Sequence, residues 1–350
     1  MQRNVFNSII AVLLSIFSPL LFAQSFQHEL KYNYAKTTEN YISGKRIGNA
    51  ASYKYFFSDV ENSSLPLAEM EFGTRISSLG LSYSLQDTET VFRTVGVFGS
   101  VYIGDQTKDF TISGEYKHPT TGWFINGSYR DGNSQRGIDA DTQGLDINFG
   151  KYISEFTTIS LGFTDREVDT DPYELNLPCG WQPGGAFFVC GPPTTGVIDQ
   201  KSEIETYKIS ARHLLDIAGQ YFAFGLNYQD TETTSTIDVS GSVPISPGVS
   251  SFDSKSYGGD VTAYFGRNLS AKFLFSKFEN DGIGSSEPNH FGISFEYYFF
   301  SRMAVSFGYT LIKEGASVIR LPGPIFSPVV TFRSVSNNQE FYGIGLTGRF

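Results

Sequence analysis

Short segments in which apolar and polar residues alternate recur along almost the whole chain. In FQHELKYNY, residues 26–34, every second position faces one side and carries mostly aromatic or aliphatic residues, while polar residues fill the positions between. HFGISFEYYF (290–299) and MAVSFGYTL (303–311) repeat the pattern. A period of two is that of a β-strand with one apolar and one polar face. The pattern therefore predicts an all-β protein.

The N-terminal residues have a different character. Arg3 precedes an apolar run from Ile9 to Phe22, and Ala23 provides a small residue before a cleavage point. This run of about 14 residues is shorter than the roughly 20 that span a bilayer as a helix, and Pro19 interrupts it. Its length suits the apolar region of a signal peptide. We therefore expect residues 1–23 to be a signal peptide and residues 24–350 to form one domain.

A soluble β-sandwich would show the same alternation, but two further features favour a barrel in a membrane. Aromatic residues cluster beside predicted short turns, as in an interfacial girdle: at 55–57, 152, 221–222, 264–265 and 297–300. Short turns alternate with long polar loops, which we place at 131–140, 167–202, 230–255, 280–288 and 314–338. Short inner turns and long outer loops are typical of outer-membrane barrels. We predict a transmembrane antiparallel up-and-down β-barrel in the bacterial outer membrane, in contact with its lipid and lipopolysaccharide.

The chain ends in YGIGLTGRF, an alternating strand with an aromatic last residue. Tyr342, Ile344, Leu346 and Phe350 share one face of it. This is similar to the C-terminal signal that the barrel-assembly machinery reads, and it implies that the last strand ends in the periplasm. Counting back from it gives about fourteen strands, an even number as in bacterial barrels. Segment 90–104 either extends its neighbours into an outer hairpin or hides two more strands, for a total of sixteen.

The connection at residues 55–72 is too long for a tight inner turn. It resembles a stretch in a family of general porins from gammaproteobacteria: an aromatic strand end, a valine, a short polar spacer, then Pro-Leu-Ala-Glu and an aromatic. The matching residues are Phe57, Val60, Pro66, Leu67, Ala68, Glu69 and Phe72. Met70 and Glu71 depart from the small residues of the family pattern. The resemblance implies a porin that passes small hydrophilic solutes or ions by passive diffusion, and it implies no particular substrate.

Charge placement is the next constraint. The formal net charge of −10 argues against nucleic acid as a partner. The basic residues that we place on the lumen face are Lys31, Lys54, Lys117, Arg130, Lys208, Arg212, Lys272 and Arg349. The acidic ones are Glu29, Glu115, Asp146, Asp260 and Glu296. Two interpretations stay open: these charges pair across strands and solvate the wall, or the basic residues form a constriction that favours anions.

The two cysteines, Cys179 and Cys190, lie in the predicted loop 167–202. In an exported protein such a pair favours a disulfide, with two free thiols as the alternative. The loop either folds into the pore or stays outside, where it would bind a partner.

The sequence shows no sign of catalytic chemistry. The four histidines, His28, His118, His213 and His290, are scattered and lack the spacing of a metal site or a triad. We expect neither an enzyme nor a cofactor. A plugged, non-conducting barrel that acts as scaffold, receptor or gated transporter remains the alternative to a porin, and whether the chain forms a homo-oligomer also stays open.

Overall fold

The computed structural model describes residues 25–39, 43–61, 65–93, 100–135, 139–177, 194–241, 247–281, 288–299, 302–313, 318–321, 330–333 and 338–350. The strands are β1 (Ser25–Glu39), β2 (Ser43–Glu61), β3 (Ser78–Arg93), β4 (Ser100–Lys117), β5 (Trp123–Gln135), β6 (Ala140–Ser154), β7 (Thr157–Leu177), β8 (Thr194–Ile217), β9 (Gln220–Gly241), β10 (Gly248–Phe265), β11 (Leu269–Asp281), β12 (Asn289–Phe299), β13 (Met303–Lys313), β14 (Val318–Leu321), β15 (Val330–Arg333) and β16 (Asn338–Arg349).

Fourteen of the described strands close into one antiparallel barrel, in which each strand pairs with its chain neighbour. These are β1 to β13 and β16, while β14 and β15 pair only with each other in the connection between β13 and β16. The predicted barrel of fourteen strands is confirmed. Segment 90–104 forms the outer ends of β3 and β4, which pair up to Arg93 opposite Ser100. Residues 94–99 lie outside the described part of the chain. The alternative of sixteen barrel strands is wrong.

Several strands run further outward than the sequence predicted. β7 continues to Leu177 and β8 begins at Thr194, so the loop predicted at 167–202 is strand at both of its ends. The loop predicted at 230–255 is likewise mostly strand, since β9 and β10 together cover all but the residues between 241 and 248. Beyond the membrane a strand has water on both faces, so a polar sequence without alternation still forms the backbone ladder.

Alternation within the membrane sends successive side chains to opposite faces of the barrel wall. Leu79, Leu81 and Tyr83 of β3 are exposed on the outer surface, and the same holds for alternate apolar residues of the other barrel strands. The predicted aromatic girdle is only half correct. Phe57 and Phe299 are exposed, but their neighbours Phe56 and Tyr298 are buried inside the barrel. A period of two requires this, because adjacent residues cannot share a face.

Residues 65–75, between β2 and β3, fold into one end of the barrel, and we call them the plug segment. They form a 3-10 turn at Leu67–Glu69 and a short helix, α1 (Met70–Thr74), which ends at Arg75 in the left-handed region with a φ of 50°. The Leu67 amide donates to the carbonyl of Arg267 in the β10–β11 turn. The plug segment thus lies at the short-turn end, which is periplasmic in outer-membrane barrels.

The plug segment completes the buried core, which has two clusters. In one, Leu67 and Met70 pack on residues of β1, β2, β12 and β13, namely Phe26, Phe56, Val60, Tyr298 and Ala304. In the other, Leu65 packs on residues of β8, β9 and β10, namely Leu214, Ala223 and Tyr264. Because these strands lie on different sides of the barrel, the plug segment extends across the periplasmic end of the lumen. In the described part of the chain, no helix has both the length and the apolar composition to cross a membrane.

The barrel closes between β1 and β16. Their register runs from Glu29 opposite Arg349 to Glu39 opposite Gln339. At the end of the seam the Phe350 amide donates to the His28 carbonyl at 2.9 Å, the His28 amide donates back at 2.7 Å, and the two rings stack with centroids 5.2 Å apart. Tyr342 and Ile344 are exposed on the outer face of the same strand. That these residues, with Leu346 and Phe350, signal to the assembly machinery stays a prediction.

Candidate functional site

The lumen wall above the plug segment consists mainly of small polar residues. Asn33, Thr262, Ser270, Ser294 and Ser306 line one inward-facing cavity, and Ser113, Asn126 and Ser128 line another on the opposite wall. Hydroxyls also bond across strands, as between Ser160 and Ser210 at 2.7 Å. Such a wall keeps space free and offers donors and acceptors to water and polar solutes.

The charged residues predicted for the lumen all lie on inward-facing positions. Most of the basic ones have a carboxylate partner: Lys31 and Glu29 are 2.6 Å apart, Lys117 and Glu115 3.2 Å, Lys208 and Asp146 2.9 Å, Lys272 and Asp260 3.2 Å. Lys54, Arg212 and Arg349 pair with Glu71, Glu69 and Glu29. Cross-strand pairing, the first of the two interpretations, describes three of these seven, Lys208, Lys272 and Arg349. Lys31 and Lys117 pair within their own strands, and Lys54 and Arg212 pair with the plug segment. That they line a conducting pore stays a prediction.

The contact between β1, β16 and the plug segment centres on Arg349. Its Nε donates to Glu29 at 2.8 Å, and both side chains are nearly fully buried, at 3% and 2% exposed. Its Nη1 donates to the Leu67 carbonyl at 2.8 Å. The guanidinium also lies 4.9 Å from the ring centre of Phe26 and 5.0 Å from that of Tyr298. The last strand is therefore bonded directly to the plug segment.

Glu69 holds the plug segment to the opposite wall. Its carboxylate is 4% exposed and accepts hydrogen bonds from the Arg212 guanidinium and the Tyr264 hydroxyl. Burial raises the pKa of Glu69 above its usual value, although Arg212 and Tyr264 favour the charged form and offset part of this effect. The sequence reasoning used Glu69 only as part of a family motif and missed this role. The available signal was that two carboxylates, Glu69 and Glu71, lie among apolar residues in an inner connection too long for a turn.

The C-terminal part of the plug segment contacts a third region of the wall. Lys54 Nζ lies 2.5 Å from the Glu71 carboxylate, and Lys117 Nζ donates to the Glu71 carbonyl at 3.3 Å. Phe72 packs on Tyr152, with ring centres 5.4 Å apart. The plug segment is thus fixed to strands around most of the barrel circumference.

Cavities of 460 Å³ and 410 Å³ border the plug segment on its two sides. Ala68, Glu69, Arg212 and Glu296 line both of them. The first is otherwise bounded by β1, β10 to β13 and β16, and the second largely by β2 and β4 to β8. The Glu69–Arg212 pair therefore stands between two cavities of the lumen.

Some predicted features lie outside the described residues. These are the signal peptide at 1–23 and the cysteines Cys179 and Cys190, so cleavage and the disulfide stay predictions. The four histidines do not come together. His28 of β1, His213 of β8 and His118 of the β4–β5 turn lie at the short-turn end, where they contact Phe350, Thr157 and Thr121 respectively. His290 of β12 packs on Phe278 near the other end.

Comparison with known proteins supports the fold. No protein-family model matches the sequence, and no curated protein matches it. A solved structure of a Pseudomonas aeruginosa FadL homologue superposes with a TM-score of 0.55 at 9% identity, covering 95% of this chain and 92% of that chain. The Pseudomonas putida toluene transporter TodX gives 0.51 at 9% identity, covering 95% and 91%. The CymD monoaromatic hydrocarbon channel gives 0.53 at 11% identity, covering 96% and 92%.

At such low identity these likenesses establish the fold alone. The closed barrel, with an apolar outer surface and a polar interior, is that of an outer-membrane β-barrel. The protein belongs to this class and resides in the bacterial outer membrane. Because no family model matches, the resemblance to general porins stays a prediction.

Proposed function

We propose that this protein is a channel through which small hydrophilic solutes or ions cross the outer membrane by diffusion, narrowed at its periplasmic end by the plug segment. The observation that carries the proposal is that small, polar side chains make up most of the lumen wall. In the comparison, CymD is named as a monoaromatic hydrocarbon channel and TodX as a toluene transporter. Serine, asparagine and paired charges offer such apolar solutes little, because burying these groups without hydrogen bonds costs free energy.

The inward-facing apolar side chains support the same solute class. Phe56, Tyr298 and Leu214 are among the largest of them, and the plug segment covers all three. They are therefore used to hold the plug segment and are not free to contact a solute. A second candidate function, a plugged barrel that does not conduct, is favoured by the same contacts if the plug segment closes the lumen completely.

Deleting the plug segment, together with the end of β2 that precedes it, distinguishes the two candidates. The Phe57 amide donates to the Ser77 carbonyl at 3.0 Å, so β2 and β3 are already in register there. Residues 58–76 can thus be replaced by Asn-Gly, which suits a two-residue hairpin turn. The measurements are single-channel conductance in planar bilayers and swelling of liposomes in sugars of graded size.

We expect the wild-type protein to conduct in stable steps and the deletion variant to conduct more and to admit larger sugars. A silent wild-type protein and a conducting deletion variant would establish the plugged barrel instead. Silence of both, with each protein shown to be folded by its heat-modifiable migration in gels, would overturn the channel function.

A further inference from the structure

Two inward-facing arginines stand on either side of a glycine in the outer half of the lumen. Arg130 of β5 lies directly opposite Gly144 of β6, and Gly144 lies directly opposite Arg166 of β7. Residues opposite each other in an antiparallel sheet share a face, so all three face the lumen. With strands about 4.8 Å apart, the two arginine Cα atoms are about 10 Å apart. No side chain separates the two guanidinium groups, because glycine occupies the position between them.

These arginines differ from the basic residues near the plug segment. Among the residues that the structure describes, neither guanidinium has a carboxylate oxygen within the 4.0 Å of an ion pair. The nearest acids on the same wall already have partners. Asp146 accepts from Lys208 at 2.9 Å and from Thr164 at 2.7 Å, and Asp109 accepts from Ser84 at 3.2 Å.

Arg166 interacts with Arg130 and with both of these acids through longer-range electrostatics. Within this group, three cations, the two arginines and Lys208, thus face the two carboxylates of Asp109 and Asp146. Asp105, the next inward-facing acid on β4, accepts a hydrogen bond from Ser134 at 2.6 Å. The surplus is positive although the whole chain has a formal net charge of −10.

The outer surface shows at what level the pair lies. Tyr129, just below Arg130 on β5, and Leu145, opposite Tyr129 on β6, are exposed apolar residues that face lipid. The outward-facing residues just beyond the arginine level are Asp131 of β5 and Glu167 of β7, both exposed. The pair therefore stands where the wall leaves the membrane, at the outer mouth of the lumen.

We infer that Arg130 and Arg166 form a binding site for the carboxylate or phosphate group of small anionic solutes, and that this site gives the channel a preference for anions. Two guanidinium groups side by side repel each other, and an oxyanion between them removes the repulsion. Their planar donor forks match the geometry of carboxylate and phosphate oxygens. The role of this site in permeation rests on the proposed channel function. The site adds to that function the class of solute, which the composition of the wall alone does not determine.

The test compares the wild-type protein with Arg130→Gln, Arg166→Gln and the double variant. Lys313→Gln serves as the matched control, because it removes the same charge from an exposed, outward-facing residue of β13. The reversal potential under a KCl gradient reports ion preference. Inorganic phosphate added to the extracellular side, at constant ionic strength, reports occupation of the site through block of the chloride current.

We expect the wild-type protein and Lys313→Gln to prefer chloride and to be blocked by phosphate. In the double variant the chloride-to-potassium permeability ratio should fall at least threefold, and the half-blocking phosphate concentration should rise about tenfold, which is 1.4 kcal/mol of binding free energy. Wild-type selectivity and wild-type block in a folded double variant would overturn the inference.

A second readout separates this inference from the channel function. Phosphate should raise the thermal unfolding temperature of the wild-type protein and not that of the double variant, whether or not either conducts. A silent wild-type protein that phosphate stabilises through the two arginines would overturn the channel function and keep the binding site. Equal phosphate effects on both proteins would overturn the binding site.

Discussion

Replacing Glu69 by leucine tests how firmly the plug segment is held. The change keeps the volume similar but leaves the Arg212 guanidinium and the Tyr264 hydroxyl without their acceptor. Breaking a buried ion pair from one side costs about 3–5 kcal/mol. Because the Arg212 side chain is 36% exposed and can bind water instead, we expect about 2 kcal/mol. At 1.4 kcal/mol per factor of ten, the ratio of docked to undocked plug segment falls roughly 30-fold.

The assay is single-channel recording, with the conductance of the variant that carries Asn-Gly in place of residues 58–76 defining the undocked state. Glu69→Leu should spend a much larger fraction of time at that conductance than the wild-type protein. Glu69→Gln is the control, since its amide oxygen still accepts hydrogen bonds from Arg212 and Tyr264, and its effect should be smaller. Arg212→Leu and the double variant complete a cycle in which the pair should be strongly non-additive.

Two results would refute this reasoning. Additive effects of Glu69→Leu and Arg212→Leu would mean that the two side chains do not stabilise docking together. An unchanged conductance in Glu69→Leu, beside a clearly higher one in the deletion variant, would mean that the apolar contacts alone hold the plug segment.

Three further predictions concern pH and the barrel seam. Burial raises the pKa of Glu69 when the plug segment is docked, so docking is favoured as pH falls and loses this advantage as pH rises through the pKa of the docked state. Acidification from about pH 7 to about pH 5 should therefore lower the undocked fraction in the wild-type protein but not in Glu69→Gln, and a rise in conductance would contradict this direction of the pH effect. Arg349→Gln removes the cation beside buried Glu29, and we expect the free energy of unfolding to fall by about 3 kcal/mol, measured as a lower midpoint of urea unfolding in lipid vesicles. An unchanged midpoint would show that Lys31 compensates for the lost arginine. Phe350→Ala keeps its backbone bonds to His28 and loses the ring stack, so the free energy of unfolding of the purified barrel should fall by no more than about 1.5 kcal/mol. If Phe350 is also an assembly signal, the amount of folded protein in cells should fall much more than this loss of stability explains.

The sequence was sufficient to predict the membrane part of the barrel. A strand between lipid and a polar lumen must alternate, so the faces of residues such as Leu79 and Leu81 could be assigned in advance. The outer ends of β7 to β10 could not, because strands with water on both sides need no alternation. Polar sequence there looks like a loop, although its backbone hydrogen bonds are those of a sheet.

The plug segment was only partly predictable. The sequence indicates its unusual length and its Pro-Leu-Ala-Glu motif, but it does not predict that the segment lies inside the lumen. The pairs of adjacent aromatic residues at Phe56–Phe57 and Tyr298–Phe299 predict an apolar partner inside the lumen. If one ring of each pair faces the membrane, the other must face inward and needs an apolar contact there. The pairing of Glu69 with Arg212 lay beyond sequence reasoning, since 143 positions separate the two residues.

The bond between Arg349 and the Leu67 carbonyl has a consequence for how the barrel is sealed. One side chain of β16, that of Arg349, takes part both in the β1–β16 seam and in the contact that holds the plug segment. Seam closure and docking of the plug segment are therefore thermodynamically linked, and each makes the other more favourable. A chain that closed without its plug segment in place would leave one guanidinium N–H without its acceptor in a buried site. Pairing of β16 with β1 is therefore most favourable when the plug segment, some 280 residues earlier in the sequence, is already docked.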